Sequence, residues 1–129
     1  MSNAKHQALI TQFYEAFQKG DAAAMGACYH EEITFEDPGF GHLKGKEVTA
    51  MWQMLIERSK GNLSVTFDRV KADDVRGSAN WEAKYPFSKT KRPVHNKIKA
   101  NFQFKDGKII DHKDEFSFWR WSSMALGPV

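Results

Sequence analysis

At Gly61 the hydrophobic rhythm of the chain changes, and that change limits what the chain can fold into. Before it, apolar residues recur every three or four positions. One segment carries Leu9, Ile10, Phe13, Tyr14, Ala16 and Phe17, another Val48, Met51, Trp52, Leu55 and Ile56. That spacing predicts amphipathic helices. After Gly61 the period is two: Leu63, Val65, Phe67, then Trp81, Ala83, Tyr85, Phe87, then Ile98, Ala100, Phe102, Phe104. Alternation of this kind predicts half-buried strands. Helices followed by a long meander predict an α+β fold, with N-terminal helices packed on a strongly curved antiparallel sheet. A coiled sheet covered by helices makes a cone, and an apolar cone holds small ligands.

Local signals mark the joints. Gly20 ends the first helix and Asp21 caps a second over "AAAMGACYH". "EEITFEDP" predicts a short strand stopped by Pro38. Gly45 precedes the third helix, and "KDGK" predicts a tight hairpin before a last strand from Ile109 to about Trp121. With 129 residues and no linker or repeat, the expectation is a single domain over 1–129.

Net charge is +3, but cations and anions are dispersed, and the densest run, "KTKRP", reads as a hairpin tip. A nucleic-acid partner needs a coherent basic patch, so none is expected. There is no run of about 18 apolar residues, so no membrane span is expected, and the N-terminus shows no signal pattern, which points to the cytoplasm. The lone Cys28 rules out an internal disulfide and reads as a small buried hydrophobe.

Two polar residues stand on an apolar face. Alternation on the last strand groups Ile110, His112, Asp114, Phe116 and Phe118 against Asp111, Lys113, Glu115 and Ser117. An imidazole and a carboxylate two residues apart on one face are about 7 Å apart in an ideal strand, too far for a direct bond but able to share a ligand or water. Buried charges need partners. Three arrangements satisfy that need: His112 and Asp114 at a wet rim, a convergence of Asp37, His112 and Asp114 inside the cone, or a metal site of those three with His42 in reach. No strong metal motif supports the third. Asp37 has a plain alternative as the turn former of "PGFG". Glu36 is expected to face solvent, His42 and His95 to sit in or near exposed loops, and His30 to end the second helix.

The order of elements, together with "FYEAFQKGD" (13–21), "ITFEDP" (33–38), "LKGKE" (43–47) and "NFQFKDGKI" (101–109), resembles the nuclear transport factor 2-like superfamily, in its SnoaL-like and ketosteroid isomerase-like branch. The resemblance implies a cone-shaped barrel and a homodimer formed through the outer sheet face. That face carries Glu82, Lys84, Lys97, Lys99, Asn101, Gln103, Lys113 and Glu115, a polar and mixed surface. It also implies that Asp37 of "EDP" is a general base. The isomerases' oxyanion pair does not carry over: the tyrosine falls on Phe13, with Tyr14 turned about 100° away, and the acid falls on Ala100. Steroid isomerisation of the familiar kind is therefore not expected, since losing one such donor costs about 100-fold or more.

The resulting expectation is a pocket for a small, mostly apolar, oxygenated molecule, walled by Phe13, Tyr14, Phe17, Trp52, Trp81, Tyr85, Phe102 and Phe116. If it is catalytic, the reaction is proton transfer without cofactor or metal, with Asp37 as base, His112 as acid or oxyanion donor, and Asp114 orienting the imidazole. The alternative is a non-catalytic ligand-binding or protein-interaction domain of the same fold.

Overall fold

The computed structural model of the protein describes residues 2–127. Its elements are α1 (Ala4–Gln18), α2 (Ala22–Ala27), β1 (Tyr29–Asp37), β2 (Gly41–Lys44), α3 (Lys46–Ser59), β3 (Ser64–Ala72), β4 (Arg76–Pro86), β5 (Pro93–Lys105), β6 (Lys108–Glu115) and α4 (Phe118–Leu126). Side chains cap three of the helices: Asn3 accepts from the His6 N–H, Asp21 from Ala24 and Ser117 from Arg120. The β5–β6 turn has positive φ at both Asp106 and Gly107, as the Asp-Gly pair requires.

One sheet of order β2-β1-β6-β5-β4-β3 carries the fold. It is open and mixed: helices pack on it as expected for an α+β cone, but one strand pair is parallel where an antiparallel sheet was expected. β1 runs parallel to β6, with Phe35 opposite His112, while the remaining pairs are antiparallel. The helices complete the cone. Inward residues of the strands meet Ile10, Phe13, Tyr14 and Phe17 of α1 and Val48, Met51 and Trp52 of α3 in one buried core. On the outer face, Glu82 lies opposite Lys97 and Lys99 opposite Glu115, so charges of opposite sign pair within the sheet.

Three further expectations change. The second helix stops at Ala27, because the Cys28 carbonyl accepts from Ile109 N–H and draws Tyr29 and His30 into β1. His30 therefore sits on a strand, its Nε2 3.7 Å from Asp106, and not at a helix end. His42 and His95, near the starts of β2 and β5, are exposed beside loops as expected and bonded to Glu36 and Glu82. The final strand ends at Glu115. Beyond it Ser117 caps α4, whose Trp121 and Ala125 turn inward at helical spacing. Finally, a bulge between Gln103 and Phe104 places Ile109, not Ile110, in the core.

Gly77 on β4 is where α1 docks. A Cβ there would lie 2.8 Å from the Phe104 ring and 2.9 Å from Ile10 Cδ1. Gly77→Ala is expected to destabilise the fold by about 1–3 kcal/mol through overpacking, read as a lower denaturant midpoint.

Candidate functional site

β1 ends at Asp37, just before Pro38, and its inward phase (Ile33, Phe35, Asp37) aims the last carboxylate under the turn that follows. Asp37 Oδ1 accepts the backbone N–H of Gly39 at 2.9 Å and of Phe40 at 2.5 Å. The turn-forming role is real, yet the other oxygen has no partner among the described residues, and Asp37 lines a cavity of about 350 Å³. Burial pushes the Asp37 carboxyl above its usual value, the Asp114 charge pushes the same way, and the Phe40 and Gly39 N–H groups pull back.

Asp114 lines the same cavity from β6 and is almost wholly buried. Its Oδ1 accepts from His112 Nε2 at 2.9 Å and from Trp81 Nε1 at 3.3 Å. The direct His112–Asp114 bond corrects the ideal-strand estimate: the two side chains lean together instead of standing parallel. Behind them, Tyr29 Oη bonds His112 Nδ1 at 2.8 Å and accepts from Trp52 Nε1 at 2.9 Å. One tautomer of the imidazole pairs each donor with an acceptor. Trp52 N–H gives to the Tyr29 oxygen, Tyr29 O–H to Nδ1, and Nε2–H to Asp114. Burial holds the Tyr29 phenol well above its usual pKa, which keeps it a donor.

His112 itself is fully buried and does not line the cavity. Phe13, Phe35, Trp52 and Phe102 surround its ring, with centroids 4.6–6.0 Å away. The expected inner trio is thus brought together in a different order: Asp37 and Asp114 reach the cavity, and His112 stands behind Asp114. Among the expected wall residues, Phe17, Trp52, Trp81, Tyr85 and Phe116 line the cavity; Phe13, Tyr14 and Phe102 do not. Phe13 and Phe102 pack on His112, while Tyr14 stacks on Phe67, its hydroxyl without a partner among the described residues. Trp121 also lines the wall and donates to Tyr85 Oη at 2.6 Å, whereas Trp119 is exposed.

Sequence reasoning missed Tyr29, Asn96 and Arg58. Asn96 carried a usable signal, since it keeps the inward phase of Ile98, Ala100 and Phe102. Tyr29 did not, because a register shift separates it from Thr34 along β1. No group of three His, Cys, Asp or Glu among the described residues is arranged to hold a metal ion. No described helix is long and apolar enough to cross a membrane.

The raised Asp37 pKa has a consequence for stability. Its folded value lies above its unfolded one, so the proton it binds stabilises the fold. That contribution is complete below the ordinary value of 3.8 and is lost as pH rises through the folded value. Asp37→Asn, which keeps the oxygen that caps the turn, is expected to melt at a higher temperature than wild type at pH 7. The gap should shrink in a series of melts taken toward pH 3.

No curated protein matches the chain in sequence. In structure it is similar to Bal32a from a soil-derived mobile gene cassette, at 22% identity and TM-score 0.80 over 95% of this chain and 98% of that one. It is also similar to an LEH-like epoxide hydrolase from M. tuberculosis, at 19% identity and TM-score 0.70 over 95% and 90%. A third likeness is to SalBIII, an epoxide hydrolase/cyclase-like enzyme of pyran ring formation in salinomycin, at 12% identity and TM-score 0.76 over 93% and 97%. At these identities the likeness establishes the fold. The family model described as SnoaL-like domain matches residues 10–112. That match runs from the first helix through the strand that carries His112, and the chain accordingly belongs to the SnoaL-like family.

Proposed function

We propose that the protein binds a small, mostly apolar, oxygenated molecule in the cone and catalyses proton transfer on it without a cofactor, in a reaction of isomerase, dehydratase or cyclase type. The observation that carries this reading is a pair of carboxylates in the wall of one apolar cavity, each with one oxygen anchored and one free. Neighbouring carboxyls that differ in environment divide acid and base roles. Asp37, whose carboxyl burial makes easier to protonate, delivers a proton to a substrate oxygen from its protonated form. Asp114 takes a proton from substrate carbon, hydroxyl or water, and the two roles reverse on the return step. His112 is a positioning residue: with both nitrogens bonded and no exposure, it acts through Asp114.

The fold neighbours fit this division. Opening or closing a strained ether ring needs one group to protonate oxygen and another to remove a proton from the nucleophile, which is the chemistry implied for an epoxide hydrolase or an epoxide hydrolase/cyclase-like enzyme. The test is turnover of small apolar epoxides, hydroxy-epoxides and unsaturated ketones by wild type, Asp37→Asn and Asp114→Asn. Loss in both variants supports the pair, and unchanged turnover in either removes that residue from it.

A second reading, binding without chemistry, draws on the two backbone N–H groups that occupy Asp37 Oδ1. It expects bound ligand to be recovered unaltered and Asp37→Asn to leave binding unchanged.

A further inference from the structure

Asn96 is a buried amide with an unusual position. It projects inward from β5, is 9% exposed, lines the cavity, and has no hydrogen-bond partner among the described residues. Two other polar groups in the wall are engaged: Ser59 donates to the Ile56 carbonyl and Tyr85 accepts from Trp121. The amide faces the open cavity, where water or a polar group of a ligand can bond it. Asn96 lies opposite Ala83, whereas Asp114 lies opposite Ala100, four residues further along β5. The two are therefore about 13 Å apart along the strand, with the apolar row of Ile98 between them.

A cation from the last turn of α3 also reaches the cavity wall. Arg58, exposed in the cavity wall, forms no ion pair among the described residues and is not among the groups that shift Asp37. Around that end, residues 85–94 and 116–127 carry Lys89, Lys91, Arg92 and Arg120 and no acidic residue. An anionic group entering the cavity is repelled by Asp37 and Asp114 and attracted to the Asn96 end.

We propose that Asn96, with Arg58, anchors a carboxylate on the ligand, so that the molecule bound is an apolar monocarboxylic acid lying along β5. Its acid group sits at the cationic end and its apolar stem crosses the Ile98 row. Its remaining oxygen function reaches Asp37 and Asp114. The inference rests on reading the cavity as a ligand site and adds the substrate class to it.

Trp52, Trp81 and Trp121 line the cavity, so their fluorescence reports binding. The probes are decanoate and decan-1-ol, which share a stem and differ in charge. Wild type is expected to bind decanoate about tenfold tighter than the alcohol. Asn96→Leu and Arg58→Gln should each lower decanoate affinity several-fold to tenfold and leave the alcohol's unchanged, with melting temperature confirming that both variants fold. Equal affinity for the two probes in wild type, no binding of either, or parallel loss of both in the variants would overturn the proposal. Decanoate offers Asp37 and Asp114 nothing to react with, so this titration tests the anchor alone. Turnover of Asp114→Asn tests the acid–base pair alone.

Discussion

Asp114→Asn is expected to lower turnover about 100- to 10,000-fold, the range that general acid–base groups contribute. Asparagine has the same shape, and its amide oxygen still accepts from His112 Nε2 and Trp81 Nε1, the two donors that fix Asp114 Oδ1. The free end becomes an NH₂, which cannot take a proton. The fall should therefore appear in kcat, with KM little changed, because the apolar wall that binds the ligand is untouched. Asp114 is 2% exposed, so a comparison of melting curves belongs with the kinetics. A kcat within about threefold of wild type, in a folded variant, is not compatible with general-base catalysis at this position.

His112→Ala is expected to destabilise the fold by about 3–5 kcal/mol. The ring is wholly buried among four aromatic side chains, and removing it leaves a void that those rigid rings fill poorly. It also strips Asp114 of its closer donor and Tyr29 of its acceptor. His112→Phe separates the two causes. Packing is largely kept while both hydrogen bonds go, so the cost should fall to about 1–3 kcal/mol. Chemical denaturation of the two variants measures both. In a folded His112→Phe protein, turnover should also drop through a mispositioned Asp114, and the pH dependence of kcat should shift. A role in packing alone would leave that profile in place.

The parts of this architecture that were legible in the sequence are those written in local periodicity. α1 and α3 carry apolar stripes, and β3, β4 and β5 alternate cleanly, so their faces follow from residue type alone. What alternation could not report is non-local or depends on one residue. The parallel β1–β6 pair joins segments about 80 positions apart, and nothing in either strand names its partner. The tail "FSFWRW" is rich in aromatic residues and begins in the phase of β6, and so reads as strand. Only Ser117, an N-cap, marks the start of α4, and tertiary contact through Trp121 and Arg92 holds the helix. The Ile109/Ile110 swap came from one bulged residue in the hairpin.

The site divides the same way. Asp37 and Asp114 were recoverable because each keeps the inward phase of its strand. The order of His112 and Asp114 was not, because an ideal strand holds alternate side chains apart while here a 2.9 Å bond draws them together. Phe13 and Phe102 were placed on the correct side of the sheet but at the wrong depth, since phase gives direction and not distance from the cavity. Tyr29 and Trp52 became visible as a relay only when three elements, β1, β6 and α3, were brought to one point.

The most direct measurement of the central claim needs no substrate: carbon-13 NMR titration of the aspartate carboxyls in wild type and in Asp114→Asn. Asp37 should titrate above 3.8 in wild type, and its midpoint should fall when the Asp114 charge is removed, because burial and that charge both act on it. An Asp37 carboxyl that titrates at or below 3.8, or whose midpoint ignores the substitution, would mean that the two carboxylates do not face one another across a shared hollow, and the acid–base pairing would be wrong.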